Sequence, residues 1–202
     1  MQANLHRKDN IYPLEKPERE DAIIEEVRKI AQKYHIDEII PVTTGDISVA
    51  KWVQLKCKYG CNKYGTNWCC PPETPTSDQA KALLSEYKKA LLLCGRMENN
   101  QFYRDNQKKR RIQVNMWKGT VALERHLFLR GYYKAFGLVS ESCALCRRCT
   151  YPDECVFPAD RRPSVESWSI DIFQTLKNIG KPFKIARDVA EEYPYYSLIL
   201  LE

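Results

Sequence analysis

The sequence predicts one domain of the α/β or α+β class, built on a mixed sheet and carrying two cysteine-rich loops. Three observations lead there. Segments of helical and strand periodicity alternate along the chain. No internal repeat or low-complexity linker divides it. Its 202 residues, 44% hydrophobic and 29% charged, are enough to bury a substantial core. The expected partition is an N-terminal segment and helix over 1–35 and a cysteine-rich domain over 36–202.

After an irregular opening, Pro17 introduces a helix in which Ile23, Val27, Ile30, Ala31 and Tyr34 share a face. In "SVAKWVQLKC", Val53, Leu55 and Cys57 alternate with Gln54 and Lys56, which predicts a strand delivering Cys57 to the first cysteine group. Thr76 and Gln79 form a capping box for an amphipathic helix around Leu83, Leu84 and Tyr87, and "ALLLC" reads as a buried strand ending at Cys94. A long helical stretch then covers roughly Asn106 to Phe136, with Gly119 and Gly131 weakening its continuity, and leads to the second cysteine group. Ser164 is the expected cap of a helix bearing Trp168, Ile172, Leu176 and Ile179, stopped by Gly180 and Pro182. "FKIARDV" and "YYSLILLE" follow as strands.

Composition narrows the function. No apolar run approaches the roughly 20 residues that cross a bilayer, so no membrane partner is expected. The opening "MQANLHRKDNIYPLEKPERE" lacks the apolar stretch of a secretory signal, which points to the cytoplasm, where thiols stay reduced. Nine cysteines, an odd number in a chain of this size, therefore argue for metal rather than disulfides. The formal charge of +6 is spread among acidic residues and is a weak nucleic-acid signal. The one dense basic run, Lys108 to Arg111, reads as a solvated helix face or a surface for an acidic partner.

The second cysteine group, "CALCRRCTYPDEC", places Cys143, Cys146, Cys149 and Cys155 within thirteen residues. Successive two-residue spacings turn thiolates toward one centre, as ferredoxin loops do around a [4Fe–4S] cube, whereas zinc sites favour separated pairs. The first group, "CKYGCNKYGTNWCCPP", supplies Cys57, Cys61, Cys69 and Cys70, with glycines for a tight backbone and Pro71 and Pro72 stiffening the exit. Consecutive side chains point apart, so one of Cys69 and Cys70 is expected beside a cluster rather than on it. Cys70 is the expected ligand because Pro71 biases its backbone toward an extended conformation. Cys94, ending an apolar strand, reads as a small buried hydrophobe.

With "ERHLFLRGYYKAFGL" and "RRPSVESWSIDIF" added to these motifs, the chain from about Ile36 to Glu202 resembles the cysteine-rich family of predicted metal-binding proteins of unknown function. The resemblance implies a metal site at Cys57, Cys61, Cys70, Cys143, Cys146, Cys149 and Cys155, with Cys69 at a position where that family accepts other small residues. It implies no reaction.

Other side chains have plain structural readings. His126 is expected on a helix surface or in the core, Glu124 and Glu166 as buried partners of Arg161 or Arg162, and Tyr132, Tyr133 and Phe136 packing the core or shielding a cluster. No catalytic triad order, phosphate loop or dinucleotide fingerprint is present. The sequence thus leads to an iron–sulfur protein with one or two [4Fe–4S] clusters, acting in electron transfer or cluster-based redox chemistry. Its partner is a redox protein or a small-molecule substrate. Seven thiols are one short of saturating two cubes, and an open iron would make the protein a redox enzyme or enzyme subunit. The competing reading is a zinc–thiolate structural module that binds nucleic acid or a partner protein.

Overall fold

A computed structural model describes residues 20–98, 106–187 and 191–202. Its centre is a four-stranded sheet in the order β1-β2-β4-β3, formed by β1 (Glu38–Thr43), β2 (Lys89–Glu98), β3 (Phe136–Leu138) and β4 (Glu192–Leu201). Every neighbouring pair is antiparallel, in place of the expected mixed sheet, so the architecture is α+β. β2 and β4 occupy the centre and are covered on both faces, which explains their nearly continuous apolar runs. Ala90, Leu92, Leu198 and Leu200 enter one core, and Leu91, Leu93, Ile199 and Leu201 the other.

The second core is closed by α1 (Glu20–Ala31) and α4 (Asn106–Leu129), which contribute Ile23, Val27 and Ala31, and Leu123 and Leu127. α4 ends earlier than the expected Phe136. Gly131 takes φ 94°, its amide donates to Phe128 O at 3.1 Å, and Tyr132 N donates to Leu127 O at 3.0 Å, a left-handed helix stop. The chain is then free to form β3. Gly119 continues α4 because the helix crosses Tyr34 there: a Cβ would lie 2.5 Å from the tyrosine Cβ.

The first core is closed by α3 (Ser77–Leu84), the Trp168 region and α5 (Ile172–Asn178). Thr76 and Gln79 form the expected capping box on α3. The helix expected from Ser164 is instead two pieces. A 3-10 turn over Glu166–Trp168 ends at Ser169 in the left-handed region, and α5 begins afresh with Asp171 capping Gln174 N at 3.0 Å. The second piece does stop at Gly180, φ 67°.

Two expected strands do not form among the described residues. Residues 51–60 form α2 (Lys51–Gly60). Val53 and Cys57 lie one turn apart on its inner side, while Leu55, 58% exposed, lies on the outer. The short alternation was compatible with either period, and packing of the Val53 face decided it. "FKIARDV" forms no strand over its described residues 183–187. That segment walls a cavity instead.

Candidate metal centre

The first cysteine group begins on the last turn of α2, with Cys57 half-buried and Cys61 exposed just beyond the helix. The chain then doubles back through short local bonds. Lys63 N donates to Cys61 Sγ at 3.4 Å, Thr66 Oγ1 to Lys63 O at 2.9 Å, and Gly65 N, at φ 64°, to Pro71 O at 2.8 Å. Asn67 Oδ1 accepts from Cys69 N at 3.0 Å, making an Asx turn that leads into the two adjacent cysteines. Both are buried, and they part company. Cys70 faces one cavity with Cys57 and Cys61, whereas Cys69 faces another with Cys143, Cys146, Cys149 and Cys155.

α4 holds the second loop in place. Arg110 Nη2 donates to Leu145 O at 2.8 Å, Gln113 Nε2 to Ser142 O at 2.7 Å, and Trp117 Nε1 to Asp160 O at 2.6 Å. An apolar seam of Cys69, Trp117, Val121 and Val139 closes against Cys143 and Leu145. The two loops are also tied to each other. Trp68 Nε1 donates to Asp153 O at 3.0 Å, its ring meets Tyr151 edge-on at 5.0 Å, and the Arg161 guanidinium lies 5.4 Å above it.

The thiols burden one another electrostatically. Burial, with the nearby charges of Cys61, Glu166 and Cys70, pushes the Cys57 thiol up to about 11. Burial also raises Cys70, and a hydrogen bond from Asn67 works against that rise. Cys69 and Cys143 share a hydrogen bond. It holds the proton on Cys69, raising that thiol, and draws Cys143 down to about 7, aided by the Leu145 amide and the charge of Lys63. Cys146 is raised by desolvation and by the thiols around it, against the pull of Arg110. Several thiols are thus packed where they cannot all ionise unaided, and a bound cation removes that conflict.

Cys94 stands apart from the other eight, buried in β2 and pushed up to about 12 by burial. Glu124 is the buried partner of Arg162, in a two-pronged contact at 2.6 and 2.7 Å, and also accepts from Gly137 N at 2.8 Å. Glu166 does not join that pair. It is pushed up to about 7 by burial, against hydrogen bonds from its own amide and from Ser164, and it faces the Cys57 cavity. His126 meets Glu26 at 3.0 Å on the α1–α4 surface. Tyr132 is buried in the second core, Tyr133 is 58% exposed and Phe136 stacks on Trp168 at 5.6 Å, so none of the three lines a thiol cavity. In the basic run, Arg110 anchors the second loop, while the side chains of Lys108 and Lys109 lie outside the described residues. The tie between Trp68 and Asp153 had no signal in the sequence.

Among the described residues, no group of three or more His, Cys, Asp or Glu is arranged to hold a single metal ion, and no helix is long and apolar enough to cross a membrane. A family model described as a predicted metal-binding protein (DUF2284) matches residues 40–201. No curated protein and no solved structure matches the chain.

Proposed function

This chain belongs to the family of predicted metal-binding proteins, and on that footing we propose that it is an iron–sulfur protein whose loop thiols hold two [4Fe–4S] clusters used in electron transfer or cluster-based redox chemistry. The observation that carries the reading is the division of eight thiols between two adjoining cavities, three on one side and five on the other. Cys143, Cys146, Cys149 and Cys155, from a single loop, supply a full set of ligands for one cube. Cys69 is the fifth thiol on that side, and its retained proton makes it a hydrogen-bond donor to Cys143. Cys57, Cys61 and Cys70 serve the other cube and leave it one protein ligand short.

When bound, such clusters supply one-electron transfer at a potential set by charge, hydrogen bonds and solvent exposure. The chain's own residues set those terms. Lys63 and Arg110 favour the thiolates of Cys143 and Cys146, the Cys69 thiol donates to Cys143, and Trp117 and Val121 exclude water from behind the second group. Cys69 and Cys70 are consecutive, with Cα atoms about 3.8 Å apart, so the backbone that joins the two thiol groups is a single peptide.

Anaerobic isolation with metal and sulfide analysis tests the reading. The expected protein is brown, bleaches with dithionite and carries about eight iron and eight acid-labile sulfide per chain, four for each cube. A colourless protein with stoichiometric zinc overturns it in favour of a structural zinc module.

A further inference from the structure

The cavity faced by Cys57, Cys61 and Cys70 is larger than three ligands require. It encloses about 540 Å³, inside the range of roughly 300–1,000 Å³ found for small-molecule sites. Its apolar walls include Trp52 and Val53 on α2, Ile170 and Phe173 around the start of α5, Phe183 and Ile185 in the irregular stretch beyond it, and tyrosines of β4. Holding thiolates does not call for so extensive a lining, since the second thiol group has only Trp68 and Phe157 for aromatic walls.

Polar groups are unevenly placed within it. The lysines that reach the cavity have other engagements: Lys56 lies 4.9 Å over the Trp52 ring and Lys184 pairs with Glu191 at 2.8 Å. Glu166 is different. Among the described residues it has no basic partner, its carboxyl is desolvated and lies near the charge of Glu141, and its hydrogen bonds come from Ser164 and its own backbone. A carboxyl in apolar surroundings with acceptor capacity left over favours a ligand that brings a donor, and disfavours one that brings a negative charge.

We propose that this cavity binds a small aromatic molecule bearing a hydroxyl or amino group, its ring among Trp52, Phe173 and Phe183 and its donor on the Glu166 carboxyl, beside the three-thiol group. The proposal rests on the reading of that group as a cluster site. It makes the missing fourth ligand a matter of substrate access rather than of an incomplete loop. Glu166 is then a binding residue that selects by head group, and the aromatic wall sets the size and flatness of the body.

Four probes with one ring and different heads test it: p-cresol, p-toluidine, toluene and p-toluate. Each is titrated by ligand-observed NMR into the anaerobically isolated protein, with iron and sulfide measured on the same sample. The cresol and the toluidine are expected to bind saturably, with dissociation constants of about a millimolar, as ligands of this size allow. Toluene is expected to bind about tenfold more weakly, the difference a hydrogen bond to a carboxylate makes, and p-toluate not to bind measurably. In Glu166→Met the preference for p-cresol over toluene collapses to about twofold while toluene is still bound, which shows that the cavity persists. In Ser142→Trp, which fills the cavity from its wall, p-cresol, p-toluidine and toluene all lose binding. The reduced protein's electron paramagnetic resonance spectrum is expected to change on adding p-cresol.

Equal binding of p-cresol and toluene to the natural protein, an unchanged preference in Glu166→Met, or no probe binding at all overturns the proposal. The two readings fail separately. Selective binding by protein that lacks iron and sulfide leaves the cavity assignment standing and removes the cluster reading. Brown protein with full iron and sulfide that binds no probe does the reverse.

Discussion

Cys69 is 3% exposed and faces Cys143, not the trio that its neighbour Cys70 joins. A buried thiol that keeps its proton and donates to a ligand sulfur withdraws negative charge from that sulfur, which raises a cluster's potential. Cys69→Ala is therefore expected to keep its iron and sulfide and to lower the potential of one cluster, read by redox titration, while Cys69→Ser, which retains a donor, stays close to the natural value. Cys70→Ser is expected to lose about half the iron, since it removes one of only three thiols on its side. Loss of a cluster in Cys69→Ala would make Cys69 a ligand instead. The candidate thiols were legible from spacing because ligands within one loop are bound to stay near each other. The destination of Cys69 was not, because it depends on a loop more than seventy residues away. Glu166 was legible only as an acid. Its pKa is raised from the ordinary carboxyl value of 4.5 to about 7 by burial, so the folded protein takes up a proton between those values. The stability this leaves is fully present below about 4.5, falls as pH rises through about 7 and then levels off. Glu166→Gln cannot lose that proton and is expected to gain about 1–3 kcal/mol on the natural protein between pH 5 and pH 8 in urea unfolding. Parallel pH profiles for the two proteins would remove the burial account.

The elements that read correctly from sequence are those whose pattern admits one period. α1, α3, β2 and β4 have either a helix-spaced apolar face or an apolar run too short for a helix, and the capping box at Thr76 fixes the start of α3. α2 went the other way because five alternating residues fit a strand as well as a helix, and its outer face carries Leu55 and Tyr59 with no described element over them, while Trp52 lies at the edge of the cavity. The lysines of α2 steady that face, Lys56 lying 4.9 Å over Trp52 and Lys58 lying 5.5 Å over Tyr59. The helix expected from Ser164 divided because Ser169 N is taken by Glu166 O at 2.9 Å and Ala50 N by Ser169 O at 2.9 Å, so the backbone there bonds to α2's entry instead of continuing. Gly119 shows the same contest between local preference and packing. Alanine is the better helix former by up to about 1 kcal/mol, yet its Cβ would meet the rigid Cβ of Tyr34 at 2.5 Å. Overpacking of that kind costs about 1–3 kcal/mol, so Gly119→Ala is expected to be destabilising by about 1–2 kcal/mol, read as a lower urea midpoint at unchanged slope. A stabilised Gly119→Ala would mean that α4 and the 3-10 turn holding Tyr34, just after α1, part freely.

Across the whole molecule, stability and chemistry occupy different regions. The sheet is packed on both faces by two large apolar cores, whereas the thiol loops share only a seam of four buried residues and a set of side-chain ties. Glu124 and Arg162 mark the border between them. Their ion pair joins α4 to the end of the second loop, and its side chains are only 11% and 14% exposed, so it holds the loop's exit to the core without help from metal. The stretches on the cavity side of that border, around Lys63 and around Arg147 and Arg148, are exposed and held mainly by short local bonds and by the thiols themselves. Metal binding energy is folding energy where no rigid site exists without it. Removing the metal with an oxidant and a chelator should therefore loosen the loops and leave the sheet. The far-UV circular dichroism of the stripped protein is expected to change little, while trypsin cuts after Lys63, Arg147 and Arg148 at least about tenfold faster, as a local opening made easier by a little over 1 kcal/mol allows. Arg162→Ala strips the border pair of its cation and leaves Glu124 buried beside Gly137, at a cost of about 3–5 kcal/mol. In that variant the same treatment should collapse the whole chain in one step, with loss of the dichroism. If the natural protein already unfolds cooperatively when stripped, the sheet and the loops form one folding unit and the border at Glu124 and Arg162 has no independent meaning.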